Sequence, residues 1–238
     1  MSVDVLAIGA HPDDVELGVG GTLLLMADQE YSVCILDLTR GEAGSRGTVK
    51  ERMKEADKAA GLLDVEDRYN AELPDGGLAN TTEQQRKLIP FIRALRPTVI
   101  LCHRGNDRHP DHRVACDLVR DANFFAGLAS IETDEGPYRA PYLYHYNPYF
   151  DDDAQPDIVM DVSEVFDDKL EALKAYKSQL FNAGYEGPET LVSSSEFWDA
   201  IRTRASYWGD RVGVDYGEPL YSDGPLALMT LPGLEPEE

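Results

Sequence analysis

The sequence predicts an α/β protein with a Rossmann-like, three-layer fold and a mostly parallel sheet. Three observations carry this prediction. Short apolar runs alternate with longer stretches whose apolar residues recur at helical spacing. The runs are mostly apolar throughout, as in strands covered on both faces. Two of them lead straight into polar, histidine-rich loops, and doubly wound sheets bind ligands at the carboxyl ends of their strands.

Residues 3–10 (VDVLAIGA) are the first run and read as a buried strand. Residues 16–30 read as a helix with Leu17, Val19, Leu24 and Leu25 at helical spacing. Its Gly18, Gly20 and Gly21 hint at dinucleotide binding. The spacing G-x-G-G is not the full fingerprint, however, and HPDD occupies the phosphate turn, so the glycines read as close helix–sheet packing. Residues 33–38 read as a strand, and 49–63 as a helix with Met53, Ala56, Ala60 and Leu63 on one face. A helix over 81–95 ends at Arg96-Pro97, and 98–102 (TVILC) is a strand. Residues 111–125 are helical, with Val114, Leu118, Val119, Ala122 and Phe125 inward. The aromatic stretch 141–150 reads as a strand beside the site. Helices follow over 163–180, capped by Ser163, and over 195–208. The Pro/Glu-rich tail after Pro232 reads as frayed. With no repeat, linker or low-complexity segment, residues 1–238 read as a single domain.

Lys plus Arg number 22 and Asp plus Glu 44, a net charge of −22. A chain this acidic lacks the basic face that nucleic acid requires. No apolar stretch is long enough to span a bilayer, and the amino terminus shows no basic leader. Cys34, Cys102 and Cys116 form no C-x-x-C pair. Together these features suit a reducing cytoplasm.

The first strand runs into Ala10-His11-Pro12-Asp13-Asp14, and the strand over 98–102 into a loop ending His109-Pro110-Asp111-His112. Four of the five histidines lie in these two loops. A catalytic zinc takes three protein ligands and keeps one position for water, whose pKa it lowers to about 7. His11 and Asp14 from one loop and His112 from the other meet that need. The remaining carboxylate, Asp13, is then free to move the proton, and a protonated His109 could stabilise an oxyanion. The residues alone do not choose between Asp13 and Asp14 as ligand. His11, Asp13 and His112 also spell the H-x-D…H of a two-histidine, one-carboxylate iron enzyme. His103 and His145 read as structural histidines.

At these residues the sequence resembles the LmbE-like (PIG-L-like) zinc N-deacetylases, on A-H-P-D-D at 10–14 and H-P-D-H at 109–112. The resemblance implies one zinc per subunit on His11, Asp14 and His112, with iron(II) also suited to the site. It implies Asp13 as general base and His109 as the group assisting the oxyanion or the leaving amine. It also implies a homo-oligomer. Residues 38–48 (LTRGEAGSRGT), Arg52 with Glu55, Asn106-Asp107-Arg108, Phe197-Trp198 and the stretch 216–219 are similar to the subgroup that makes bacillithiol by deacetylating N-acetylglucosaminyl malate.

An arginine fork binds carboxylate bidentately, so Arg52 and Arg108 are the expected anchors for malate, with Arg40 and Arg46 behind them. Asn106 and Glu42 complete the expected substrate contacts. The glycine-rich segment 40–48 could form a lid. Residues 126–160 and 182–194 match nothing in the family pattern. Two other readings are a deacetylase or amidase for another N-acetylglucosamine or thiol-sugar conjugate, and a sugar-binding protein without catalysis.

Overall fold

The computed structural model describes residues 2–148 and 154–227. The elements run β1 (Val5–Gly9), α1 (Asp14–Asp28), β2 (Val33–Asp37), α2 (Val49–Leu62), β3 (Asp67–Asn70), α3 (Thr82–Leu95) and β4 (Val99–His103). They continue α4 (Pro110–Ala126), β5 (Tyr142–Tyr146), β6 (Ile158–Asp161), α5 (Phe166–Leu173), α6 (Ser195–Val212) and β7 (Gly217–Ser222). The strands order as β3-β2-β1-β4-β5-β7-β6. The first five are parallel, and β7 runs antiparallel between β5 and β6.

The pleat of β1 divides the core in two. Val5 and Ala7 face a cluster with α1, α2, α5 and α6, whereas Leu6 and Ile8 face one with α3 and α4. A sheet covered by helices on both faces is the three-layer α/β architecture that the alternation of elements predicts. Chain order reverses between β1 and β4, so their carboxyl ends flank the crevice where such folds bind ligands.

Helix starts follow the sequence signals. Thr48 and Glu51 form a capping box on α2, and the Thr81 and Ser194 hydroxyls accept N–H groups of α3 and α6. The glycines of α1 are packing residues, as expected. A Cβ on Gly18 would lie 2.2 Å from the Tyr146 ring, and one on Gly21 would lie 2.9 Å from Val162.

Two expectations are corrected. The helix over 163–180 is only α5, from Phe166 to Leu173, and Ser163 does not cap it. The Ser163 hydroxyl instead donates to Asp161 at 2.6 Å. Beyond α5 the chain is drawn out of helix by tertiary bonds. Tyr176 donates to Glu16 at 2.8 Å, and the Ser178 N–H and hydroxyl donate to Glu55 at 2.9 and 2.6 Å. Strands β3, β6 and β7 have no counterpart in the sequence reading. The end of the aromatic stretch at 149–150 and the tail after Pro232 lie outside the described residues.

Candidate functional site

Parallel pairing of β1 with β4 sets the two histidine loops side by side. The loop after β1 turns at Asp13, whose backbone sits at φ 114°, a region that disfavours any residue with a Cβ. That turn starts α1 at Asp14, and the carboxylate of Asp14 folds back to accept the His11 N–H at 2.8 Å. Three imidazoles converge on this one carboxylate. His11 Nδ1 lies 3.2 Å from Oδ2, His103 Nε2 3.3 Å from Oδ2, and His112 Nε2 3.2 Å from Oδ1. All four side chains are buried.

The outer nitrogens are also engaged. His11 Nε2 faces Asp75 at 3.1 Å and Asp111 at 3.3 Å, and His112 Nδ1 faces Asp107 at 3.1 Å. A carboxylate behind the outer nitrogen is the support that metal-bound imidazoles carry, because it fixes the tautomer and raises basicity. His103 differs: its Nε2 accepts the Ala10 N–H at 2.9 Å, and its ring stacks on His112 at 4.1 Å between centroids. It braces a neighbour, in keeping with a structural histidine.

Electrostatics agree with a cation-seeking centre. Burial works to lower the pKa of His11, but Asp111, Asp14 and Asp75 hold it well above its ordinary value. Burial likewise opposes the charge on His112, yet Asp14 and Asp107 raise it to about 9. His103, desolvated and beside His112, drops to about 4. Burial would raise the Asp14 carboxyl, but His112 and His103 hold it well below the usual range. Three donor groups among the described residues are close enough to share one ion: His11–His109–His112, Asp14–His103–His112 and His11–Asp75–Asp111. The expected set of His11, Asp14 and His112 is divided between the first two. Its nitrogen and oxygen donors, each side chain held by a second bond, fit a borderline divalent ion such as zinc.

Asp13 lies beside this cluster and faces Arg52, whose Nη2 is 3.1 Å from each carboxylate oxygen. Burial pushes the Asp13 carboxyl up to about 7, against the pull of Arg52. Arg52 also donates to the Pro12 carbonyl at 2.9 and 3.2 Å, so its fork is committed to the HPDD loop. His109 is the N-cap of α4, and its Nδ1 accepts the Asp111 N–H at 3.2 Å. Its proton therefore sits on Nε2. Burial, with His112 and His11 nearby, lowers its pKa. In that tautomer the ring offers its Nε2–H as a donor.

These groups open on a cavity of about 370 Å³ lined by His11, Asp13, Asp14 and His109, with Arg52 and Arg108 in its wall. Asn106 is exposed, and neither it nor Glu42 lines the cavity. Glu42 instead accepts the Asp75 N–H at 3.0 Å and the Arg40 N–H at 3.1 Å. Arg40 stands 3.8 Å from Glu72, with both side chains exposed. Arg108 is exposed, and its guanidinium has no hydrogen-bond or ion-pair partner among the described residues. A larger cleft of 820 Å³ between α5 and α6, lined by Lys174, Trp198 and Arg202, contains none of the histidines. Chemistry, not volume, selects the smaller one. Sequence reasoning missed Asp75, Asp107 and Asp111 as partners of the histidines. For Asp107 and Asp111 the available signal was their place in the second histidine loop.

Comparison with known proteins supplies the family. Residues 6–123 match the family described as PIG-L, GlcNAc-PI de-N-acetylase. The diacetylchitobiose deacetylase of Thermococcus kodakarensis is 30% identical over 230 residues, covering 90% of this chain and 80% of that protein. The chain belongs to the PIG-L family. The crystal structure of the conserved protein TT1542 from Thermus thermophilus superposes on this member with a TM-score of 0.86 at 38% identity, covering 97% and 98% of the two chains. The family's fold also carries other chemistry: a 4-oxalmesaconate hydratase of Pseudomonas putida is 25% identical over 189 residues, covering 73% of each protein.

Proposed function

We propose that the protein is a metal-dependent N-deacetylase for N-acetylglucosamine conjugates, with residues 1–238 working as one catalytic domain. One observation carries the reading. Two imidazoles face Asp14, each with a carboxylate behind its outer nitrogen, and a second aspartate with a raised pKa lies alongside. His11, Asp14 and His112 would hold the ion. Zinc bound there supplies a Lewis acid for the acetamide carbonyl and lowers the pKa of water to about 7, and iron(II) suits the same donors.

Asp13 takes the proton of the attacking water and returns it to the leaving amine. A carboxyl raised to about 7 can both hold and release a proton near neutrality. Arg52 fixes the direction of that carboxylate and keeps part of it ionised. His109 offers its Nε2–H to the carbonyl oxygen as charge develops there. Arg108, uncommitted in the wall of an acidic protein's cavity, is suited to a carboxylate on the aglycone. That supports N-acetylglucosaminyl malate as the substrate, as does the resemblance over 38–48 to the bacillithiol subgroup.

The test is acetate release by the zinc-loaded protein from N-acetylglucosaminyl malate, diacetylchitobiose and free N-acetylglucosamine. Preference for the malate conjugate that disappears in Arg108→Ala supports the full reading. Preference for diacetylchitobiose keeps the deacetylase and moves the substrate. No acetate from any of them, with metal bound, overturns the deacetylase and leaves a hydratase-like use of the site.

A further inference from the structure

Arg46 takes no part in the chemistry above, yet it is buried within an irregular segment. Its contacts all lead to one place. Nε donates to the Ser178 carbonyl at 2.7 Å, and Nη1 donates to the Pro188 carbonyl at 2.8 Å. The guanidinium carbon lies 4.7 Å from the centre of the Tyr185 ring. In return, the Gln179 side chain donates to the Arg46 carbonyl at 2.7 Å. Every one of these bonds joins the segment 40–48 to the segment 178–190.

Both segments are walls of the cavity. Ala43, Gly44 and Ser45 come from one, and Gln179 and Thr190, with Leu191 just beyond, from the other side. Neither has helix or strand to fix its shape. Their contact is close at Gly47, where φ is 68° and a Cβ would lie 2.7 Å from the Ser178 hydroxyl. Ser178 is itself tied to Glu55 of α2. Arg46 extends that anchorage from Ser178 to Pro188.

We propose that Arg46 is a specificity-determining positioning residue, clamping two irregular segments into one wall and so fixing the width of the cavity beyond the acetamide. This rests on the deacetylase reading. The clamp needs a planar fork that reaches two carbonyls and lies over an aromatic ring; an ammonium cannot meet all three demands. Arg46→Lys therefore keeps the charge and loses the clamp. A substrate that ends at the sugar ring does not use the outer wall, whereas a conjugate does.

Steady-state kinetics on wild type, Arg46→Lys and Arg46→Met, with N-acetylglucosamine and diacetylchitobiose, test this. Loss of one charge-assisted bond at the wall predicts a KM for diacetylchitobiose raised about tenfold, with kcat/KM for N-acetylglucosamine within about twofold. Hydrogen exchange of the amides over 181–194 should accelerate in both variants while α2 and the sheet keep their protection. Equal losses on the two substrates, or unchanged exchange over 181–194, overturn the proposal. Wild-type protein that releases no acetate from either sugar fails the deacetylase reading and the specificity role with it. The exchange data then still decide whether Arg46 holds the segment.

Discussion

Two of the buried acid–base pairs that touch helix α1 are built for opposite purposes. At its start Asp13 pairs with Arg52. Midway, where the helix breaks at Val19 with φ −139°, Glu218 of β7 pairs with Lys169 of α5 at 2.6 Å. Glu218 is saturated. It accepts the N–H groups of Gly21 and Thr22 at 2.9 and 2.7 Å and the Thr22 hydroxyl at 2.6 Å, besides Lys169. It thereby caps the second half of the helix from another element, in the way a side chain caps any helix start. Among the described residues Asp13 has one donor, Arg52, and it faces the cavity with a carboxyl raised to about 7. A carboxylate whose lone pairs are all used is scaffold. One left short of partners and strained in its backbone is available for proton transfer.

The widest break between the two would come from Asp13→Asn. Loss of a general base predicts a fall in kcat of about 10²–10⁴-fold, with metal content by elemental analysis and thermal midpoint close to wild type. A variant that loses its metal and keeps its turnover per bound ion would reverse the role given to Asp13. The matching change at the other pair is Glu218→Gln. Leaving Lys169 buried without its counter-charge predicts a loss of about 3 kcal/mol, read as a midpoint lowered by roughly 6–12 °C, with kcat per folded molecule unchanged. A smaller effect follows from Gly21→Ala, whose methyl would press on Val162 and the Glu218 carboxylate. Overpacking predicts about 1–3 kcal/mol in chemical denaturation, again without change in kcat.

The subtlest difference is in pH. Asp13 must be ionised to accept a proton, so kcat/KM should rise as pH climbs through the region near 7. Arg52 lowers the Asp13 pKa, so Arg52→Met should move that limb to higher pH. A limb that stays in place in Arg52→Met belongs to another group.

Much of this is legible in the sequence because it is local. Apolar runs mark β1, β2 and β4, and two short motifs at strand ends place His11, Asp14 and His112 together. What escapes is set by partners distant in the chain. Strand β3 reads Asp67-Arg68-Tyr69-Asn70, with nothing apolar to announce it but one tyrosine. It is anchored by Arg68, which bonds Asp37 at 2.7 and 2.8 Å. Asp75 is an ordinary loop aspartate until the fold brings it to His11. The sequence points Arg52 toward substrate, and in the fold its guanidinium also holds the HPDD loop. The glycines of α1 are legible as packing residues, because their spacing departs from the dinucleotide fingerprint.

The register of β1 against β4, Val5 beside Val99 through Ile8 beside Cys102, has a kinetic meaning. The two halves of the candidate metal site come from strands far apart in the chain, and contacts of long sequence separation form slowly. As the polypeptide emerges, the first histidine loop waits for most of the parallel sheet before its counterpart arrives. An ion taken up there bridges the junction between β1 and β4 and favours only the state in which that junction is closed. Metal capture in a refolding experiment should therefore trail the appearance of helix, marking the moment the two arms of the sheet dock.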